Sequence, residues 1–234
     1  MITKRIKQIA AFVNKNVVAE IGADHGYITK YLFDIKKIKF AALTDISANS
    51  LQKARDNFSK TKYANKVCFS VGDGLQALQN VNNSINNKKV EQIIIAGMGA
   101  REIISILSQN TNFEHFVLQP QKNVVELRQF LINNNYKIKK DIMVKDGKIF
   151  YNVISAQKMQ NCTQKLTKRQ LFFGLTNTKQ PNSDFCEYLN FKNLQYTQIL
   201  NNSNSKSNCK NIQSKLALIK RELKKIEQKK NATM

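Results

Sequence analysis

The segment Glu20-Ile-Gly22-Ala-Asp24-His-Gly26 follows a short apolar run and combines two glycines with two acids. Glycines at the end of a buried strand let the backbone approach a bound ligand closely. The segment lacks the GxGxxG spacing of dinucleotide-binding loops, and Asp24 would repel a phosphate at the start of the next helix. It therefore favours a cofactor that carries positive charge and hydroxyls but no phosphate. An ordinary strand–helix turn is the alternative.

Two further acids, Asp45 and Asp73, also follow apolar runs. Asp45 lies 23 residues after Gly22, where a carboxylate can accept hydrogen bonds from both hydroxyls of a ribose. The alternative role, a helix cap, suits Ser47 better. Asp73 stands between two glycines and could accept from the exocyclic amine of an adenine, or could simply form a turn. The two acids suit the ribose and the base of a nucleoside.

The segment Ala96-Gly97-Met98-Gly99 ends a fourth apolar run, and its glycines either leave room for a planar ring or allow close helix packing. It lacks the Asp/Asn-Pro-Pro-aromatic motif that usually holds an exocyclic amine for methylation. Pyrimidine C5 chemistry would need a nucleophilic cysteine after a proline, but Gln121 follows Pro120. What remains is a ring nitrogen, whose lone pair needs positioning more than activation.

Histidine, tyrosine and cysteine offer further candidates. His25 lies in the first loop and could contact or gate a substrate, and Tyr27 could stack on a flipped-out base or pack in the core. His115 begins a predicted strand and is expected to be structural. The chain has four widely separated cysteines without a CxxC pair, which argues against a metal site and a disulfide framework.

The elements that must position these residues alternate between strands and helices. Strands are predicted at 17–22, 40–45, 67–71, 92–96 and 115–119, and helices at 27–36, 48–59, 101–108 and 124–132. This alternation predicts a doubly wound parallel sheet. Segments 136–144 and 149–156, joined by Asp146-Gly147, form a hairpin that adds an antiparallel last strand. The layout is that of the α/β, Rossmann-like class I methyltransferase fold, with flavodoxin-like and dehydrogenase domains as alternatives.

The pattern changes after Ala156. Apolar residues step by four and three at Ile212, Leu216, Ile219, Leu223 and Ile226, which is a coiled-coil seam. Compatible spacing occurs upstream, and a polar loop is predicted at 201–211. We therefore expect a methyltransferase domain at 1–156 and a C-terminal α-helical hairpin, or coiled coil, at 157–234.

The 234 residues include 38 basic and 16 acidic ones, a net charge of +22. Residues 157–234 hold 15 of the basic and 4 of the acidic residues. Such a field attracts polyanions, above all nucleic acid and secondly a membrane surface. No apolar run approaches the roughly 20 residues that span a bilayer, and no apolar leader follows the first charges, so a soluble cytoplasmic protein is expected.

Five motifs resemble the bacterial tRNA (adenine-N1)-methyltransferases that act on adenosine 22 of tRNA. They occur in the right order at 20–27, 71–75, 95–99, 118–120 and 146–149 and cover nearly the whole catalytic domain. That family also carries a C-terminal coiled-coil domain. The chain departs from the pattern at Ala100, where glycine is usual, and at Gln121, where asparagine is usual, and both departures concern the substrate side.

The resemblance implies that S-adenosylmethionine is the methyl donor and that N1 of an adenosine in tRNA is the acceptor. Asp24 would stabilise the charge that develops on the ring, or serve the methionine end of the cofactor. The expected catalytic residues are Asp24, His25 and Tyr27. The expected cofactor residues are Glu20, Gly22, Asp45, Asp73, Gly74, Ala96, Gly97 and Met98, and the expected substrate residues are Gly99, Arg101, Gln119, Lys215, Lys220, Arg221 and Lys224.

Other functions remain open at this point. The chain could methylate another RNA, a small molecule or a protein, or it could be a basic RNA-binding protein with a vestigial methyltransferase fold. The partner expected from the resemblance is tRNA, with neither a membrane nor a metal. A monomer is favoured over an oligomer, although the sequence does not decide this.

Overall fold

The computed structural model describes residues 2–79, 81, 88–109, 112–202 and 206–231. Its strands are β1 Val17–Ile21, β2 Phe40–Asp45, β3 Val67–Val71, β4 Gln92–Met98, β5 His115–Pro120, β6 Tyr136–Asp146 and β7 Ile149–Lys158. Its helices are α1 Lys4–Phe12, α2 Tyr27–Asp34, α3 Ala48–Ser59, α4 Ala100–Leu107, α5 Val124–Asn133, α6 Lys168–Phe173, α7 Leu175–Lys179, α8 Ser183–Asn202 and α9 Lys206–Asn231.

The seven strands form one sheet in the order β3-β2-β1-β4-β5-β7-β6. The pairs from β3 to β5 are parallel, and β7 runs antiparallel to both β5 and β6. This confirms the predicted doubly wound sheet with one reversed last strand. Because β1 to β6 all point the same way, their carboxyl ends meet at one edge, which we call the strand-end edge.

Helices cover both faces of the sheet, which explains why the central strands are almost continuously apolar. Val18, Ile94 and Val117 pack under α1, α2 and α3. Ile93 and Leu118 face the other way, in the core that α4 and α5 cover. The sequence interpretation did not include α1, whose first turn is capped by the side chain of Thr3.

Residues after β7 are helical, and α8 packs against α9 through Phe185, Leu189, Ile219 and Ile226. The helical hairpin is therefore confirmed. The prediction of a polar loop at 201–211 is wrong for residues 201–202 and 206–211, which belong to α8 and α9, while 203–205 lie outside the described residues. Adding a residue to an existing helix gains a hydrogen bond without a new nucleation cost. Polar residues can therefore lengthen a helix beyond its apolar seam.

The helices α6 and α7, which the sequence did not resolve, join this hairpin to the sheet. Arg128 of α5 binds Asp141 of β6 with two hydrogen bonds of 2.7 and 2.9 Å, and both side chains are fully buried. Nη1 of Arg128 also donates to the carbonyl oxygens of Leu171 and Phe172 in α6. The division into 1–156 and 157–234 stays a prediction, but a cut after residue 156 would fall inside β7.

Candidate active site

A cavity of about 320 Å³ opens at the strand-end edge. Its walls include five of the residues predicted to bind the cofactor, namely Gly22, Asp45, Asp73, Gly74 and Met98. Glu102, Ser105 and Ile106 of α4 also line the cavity, and none of the three was predicted from the sequence. Among the described residues, the cavity is thus lined by three carboxylates and by no lysine, arginine or histidine.

Asp45 ends β2 and lines the cavity beside the start of α3. Its Oδ1 accepts a hydrogen bond of 2.8 Å from the backbone N–H of Ser47. Ser47 itself caps α3, as predicted, because its hydroxyl accepts from the N–H of Ser50 at 3.2 Å. The Asp45 carboxylate is therefore not needed to cap α3. Its Oδ2 has no hydrogen-bond partner among the residues that the structure describes.

Gln109 fixes the turn that holds Asp73 and Gly74. Its Oε1 accepts hydrogen bonds from the backbone N–H groups of Leu75 at 2.7 Å and Gln76 at 3.3 Å. Gly74 has a φ of +53°, and a Cβ atom there would lie 2.7 Å from the Gln109 amide. A side chain at this position would be strained and would displace the Gln109 amide, so glycine is favoured here. Gln109 was missed because it follows α4 without a recognisable motif.

Gly22 and Met98 form the floor of the cavity. Gly22 has a φ of +73°, and a Cβ atom there would lie 2.1 Å from Cε of Met98. The missing side chain therefore lets the methionine of β4 cross the end of β1. Gly97, with a φ of +85°, faces more open space, since the nearest atom to a Cβ there is Nη1 of Arg5 at 3.8 Å.

Glu20 lies outside the cavity walls and is buried under α2. Its Oε2 accepts hydrogen bonds from the N–H of Thr29 at 3.0 Å and from its hydroxyl at 2.6 Å. Burial raises the pKa of Glu20 above its ordinary value, although the hydrogen bonds from Thr29 act in the opposite direction. These contacts hold the first turn of α2 against β1.

The three predicted catalytic residues lie together in the loop between β1 and α2 and at the start of α2. Asp24 forms an ion pair of 2.9 Å with Lys53, and the hydrogen bond from that ammonium lowers the pKa of Asp24. His25 Nε2 lies 3.5 Å from the other oxygen of Asp24. The rings of His25 and Tyr27 are stacked 5.0 Å apart, and Tyr27 is half exposed. None of the three lines the cavity.

The predicted substrate residues are divided between two places. Gln119 is buried at the end of β5, where its Oε1 accepts from Nη1 of Arg5 at 2.8 Å and its Nε2 donates to the carbonyl of Pro120 at 3.0 Å. Arg101 is exposed on α4 and pairs with Glu126 at 3.5 Å. Gly99 lies before α4, and a Cβ there would meet Glu102.

The other predicted substrate residues lie on α9, far along the chain from the cavity. Lys220, Arg221 and Lys224 are exposed, and Lys215 is half-buried. Ala96, predicted to bind the cofactor, packs against the core and does not line the cavity. Within the described ranges, no group of three His, Cys, Asp or Glu side chains could hold a metal ion, and no helix is long and apolar enough to cross a membrane.

Known proteins share both this fold and this sequence pattern. A family model described as TrmK, tRNA (adenine(22)-N(1))-methyltransferase, matches residues 18–228. A Mycoplasma genitalium protein provisionally named tRNA methyltransferase is 38% identical over 73% of this chain and 76% of its own length.

Two solved structures match nearly the whole chain. Streptococcus pneumoniae Sp1610, provisionally named tRNA (m1A22) methyltransferase, has a TM-score of 0.83 and 25% identity over 95% of this chain and 100% of its own. Mycoplasma capricolum TrmK in complex with S-adenosyl-homocysteine has a TM-score of 0.80 and 24% identity, with 96% and 98% of the two chains covered. The family match spans the catalytic sheet and the helical hairpin together, and the chain belongs to the tRNA (adenine(22)-N(1))-methyltransferase family.

Proposed function

We propose that the cavity binds S-adenosylmethionine and that the chain transfers its methyl group to N1 of adenosine 22 in tRNA. The observation that carries this proposal is the charge of the cavity. In a chain with a net charge of +22, Asp45, Asp73 and Glu102 line a cavity to which the described part of the chain contributes no cationic side chain. Such a lining disfavours a phosphate and favours a positively charged nucleoside. The S-adenosyl-L-methionine bound in a structure of Streptococcus pneumoniae Sp1610, a nucleoside with a sulfonium and no phosphate, supports this reading.

Each wall of the cavity suits one part of that cofactor. Asp45 would accept from the two ribose hydroxyls, since Ser47 occupies only one of its oxygens. Asp73 would accept a hydrogen bond from the exocyclic amine of the adenine, and Gln109 would hold the turn at Gly74 in the conformation that places this carboxylate. Gly22, Gly97 and Met98 lie at the ends of the two central strands, where the remaining part of the cofactor must pass. Glu20 and Ala96 would act indirectly. Glu20 holds α2 against β1 through Thr29, and Ala96 packs β4 against the core.

The bound cofactor supplies a methyl group on a sulfonium, and the methyl acceptor must be presented to it in line. Adenine N1 carries a free lone pair at neutral pH, so the protein's contribution is position and charge rather than removal of a proton. The positive charge leaves the sulfonium and appears on the adenine ring. Asp24, kept ionised by Lys53, is the carboxylate of the first loop that would stabilise this ring.

Adenosine must leave its stack to reach the cavity. The cost of extruding a base is about a few kcal/mol, and stacking on aromatic side chains offsets part of it. Tyr27 presents a half-exposed ring already stacked on His25, beside the loop that carries Asp24. We assign the His25–Tyr27 pair to the incoming base. We assign the basic face of α9, formed by Lys220, Arg221, Lys224 and Lys225, to the tRNA backbone. A tRNA substrate accords with the expected cytoplasmic location.

The test is to incubate the protein with unmodified tRNA and methyl-labelled S-adenosylmethionine and to identify the labelled nucleosides by mass spectrometry. The expected product is N1-methyladenosine at position 22, and a matched tRNA with guanosine at that position should remain unlabelled. Label in N6-methyladenosine, in protein or in small molecules instead of tRNA would contradict the proposal. Absence of S-adenosylmethionine binding at millimolar concentration would leave only the RNA-binding alternative.

A further inference from the structure

Arg5 brings a cationic side chain to the strand-end edge from an element outside the predicted sheet. It lies in the first turn of α1, and its backbone N–H donates to Oδ2 of Asp146 at 3.1 Å. Asp146 ends β6, so the β6–β7 turn fixes the start of α1 where a carboxylate also suits the helix dipole. The guanidinium is thereby held between the ends of β4 and β5.

The surroundings of the Arg5 guanidinium leave most of its donors unused. Nη1 donates to Gln119 at 2.8 Å, and the central carbon lies 5.4 Å from the centre of the Tyr151 ring. The arginine ion pairs among the described residues belong to Arg101, Arg128 and Arg169. The Arg5 guanidinium therefore forms no ion pair within 4 Å with a described residue, although its charge acts on Glu20 and Asp146 at longer range. A guanidinium carries five N–H donors, and the Arg5 guanidinium uses one of them on another described residue.

The same guanidinium borders the place where the substrate must enter. Its Nη1 is the nearest atom to a Cβ built on Gly97, at 3.8 Å. Gly97 precedes Met98, which lines the cavity. Arg5 thus stands beside the proposed cofactor site but not in it, and the cavity residues that the structure describes include no cation.

We propose that Arg5 binds a phosphate that flanks the target adenosine and so places the flipped nucleotide over the cavity. The inference rests on the proposed function, since it takes the substrate to be a nucleotide within tRNA. A neutral adenine offers no anion, whereas each flanking phosphodiester offers two oxygens that match the guanidinium fork. The position over the Tyr151 ring and the hydrogen bond to Gln119 hold the guanidinium in place before the phosphate binds, which lowers the entropy lost on binding.

The first measurement is the steady-state rate of N1-adenosine methylation by full-length Arg5→Gln and Arg5→Lys variants. Loss of hydrogen bonds to a charged group predicts a fall in kcat/KM of about 10- to 100-fold for Arg5→Gln. Arg5→Lys, which keeps the charge but loses the fork, should fall between this variant and the wild type. Lys7→Gln, on the exposed side of the same helix, is the matched control and should change the rate less than about threefold.

The decisive measurement combines these variants with tRNAs in which one phosphate next to adenosine 22, on the 5′ or the 3′ side, is replaced by a neutral methylphosphonate. If Arg5 binds one of these phosphates, neutralising it should slow the wild type but barely affect Arg5→Gln. Independent, multiplying losses with both modified tRNAs would overturn the proposal and leave Arg5 as a support for Gln119.

Two controls keep this result separate from other failures. S-adenosylmethionine affinity and thermal unfolding of Arg5→Gln should match the wild type, and if that variant does not fold, Arg5→Lys takes its place in the cycle. Wild-type enzyme on unmodified tRNA tests the proposed function alone. If the wild type does not methylate unmodified tRNA, the proposed reaction is rejected. If it does, but the losses from Arg5→Gln and from the neutral phosphate multiply, only the role of Arg5 is rejected.

Discussion

The carboxylates around the cavity differ in what they are free to bind. Asp45 and Asp73 lie in its wall, whereas Asp24 is paired with Lys53 and Glu20 is buried against Thr29. The four acids look alike in the sequence because all occur near the ends of apolar runs. Their partners divide them into two acids available to a ligand, one acid with a neighbouring cation and one acid that supports the fold.

Replacing Asp45 by Asn tests the ribose assignment with little disturbance of the backbone. The amide oxygen can still accept from the N–H of Ser47, but the negative charge that favours the ribose hydroxyls is lost. Loss of charge-assisted hydrogen bonds costs about 1.5 to 3 kcal/mol, so affinity for S-adenosylmethionine should fall at least about tenfold. Calorimetric titration measures this, and Asp56→Asn on the exposed face of α3 is the control. Unchanged affinity would show that the cofactor or its orientation is misassigned.

The buried carboxyl of Glu20 predicts a pH dependence of stability. Because its pKa is raised in the folded chain, Glu20 stabilises the fold fully only below its unfolded value near 4.5, and this contribution is lost as the pH rises through the folded pKa. Glu20→Gln keeps an acceptor for Thr29 and removes this titration. Its melting temperature relative to wild type should therefore rise between pH 4.5 and pH 8. A difference that stays constant with pH would contradict this.

At the scale of elements, the strand ends define the site and the flanking helices complete it. Four βα connections at the ends of β1, β2, β3 and β4 supply the cavity wall, and α4 closes it with Glu102 and Ser105. The first helix, α1, adds Arg5 from the far side of β5, and the β6–β7 turn holds that helix in place through Asp146. The site is therefore assembled from nearly the whole length of the sheet.

The sequence predicted those parts of the site that depend on short local patterns. Asp45 and Gly22 follow apolar runs, so their place at one sheet edge follows from parallel topology alone. Arg5 and Gln109 could not be found this way, because each reaches the site through contacts distant in sequence. Glu102 lies close to the glycine motif in the sequence, but the motif does not show which face of α4 meets the cavity. The helices α6 and α7 have only six and five residues, too few to show a helical period. In contrast, α1 buries Ile6, Ile9 and Ala10 at helical spacing, so its pattern was present in the sequence but was not used.

Loss of the buried Arg128–Asp141 pair should destabilise the whole chain. Arg128→Met leaves Asp141 buried without its cation and removes the donors to Leu171 and Phe172. Breaking a buried pair typically costs about 3 to 5 kcal/mol, and each kcal/mol lowers the melting temperature of a chain this size by about 2 to 4 °C. Lys30→Gln, which breaks an exposed pair with Asp34, should cost less than about 1 kcal/mol.

The double variant Arg128→Met/Asp141→Leu provides the internal check on that result. It removes the unpaired charge and should recover part of the stability, because an apolar pair can replace a buried ion pair. Thermal unfolding of the four proteins forms a complete cycle. Equal stability of Arg128→Met and wild type would mean that the pair does not secure the joint between the sheet and the helical hairpin.

The whole molecule separates its charges by place. The cavity is lined by acids, while α9 displays Lys220, Arg221, Lys224 and Lys225 on its exposed side without a carboxylate within 4 Å among the described residues. The opposite side of α9 is committed to packing, since Glu222 is buried and binds Arg169. A cationic cofactor and a polyanionic substrate would thus meet different parts of one chain, joined through α6 and α7.

This separation predicts that the basic face of α9 contributes to tRNA binding and not to cofactor binding. Changing Lys220, Arg221, Lys224 and Lys225 together to Gln should raise the KM for tRNA by at least about tenfold and leave S-adenosylmethionine affinity unchanged. Each phosphate contact releases about 0.7 to 0.9 of a counterion, so the loss of four contacts should reduce the slope of log affinity against log salt by up to about 3.6. Fluorescence titration of labelled tRNA at several salt concentrations measures the affinity and its salt dependence.

The matched control changes four exposed lysines that precede strands, at the edge of the sheet opposite the strand-end edge. They are Lys36, Lys39, Lys66 and Lys89, and their replacement by Gln removes the same total charge. If both quadruple variants weaken binding equally, tRNA responds only to net charge and α9 is not a specific contact surface. If neither weakens it, the exposed face of α9 serves another purpose, such as contact with a second copy of the chain.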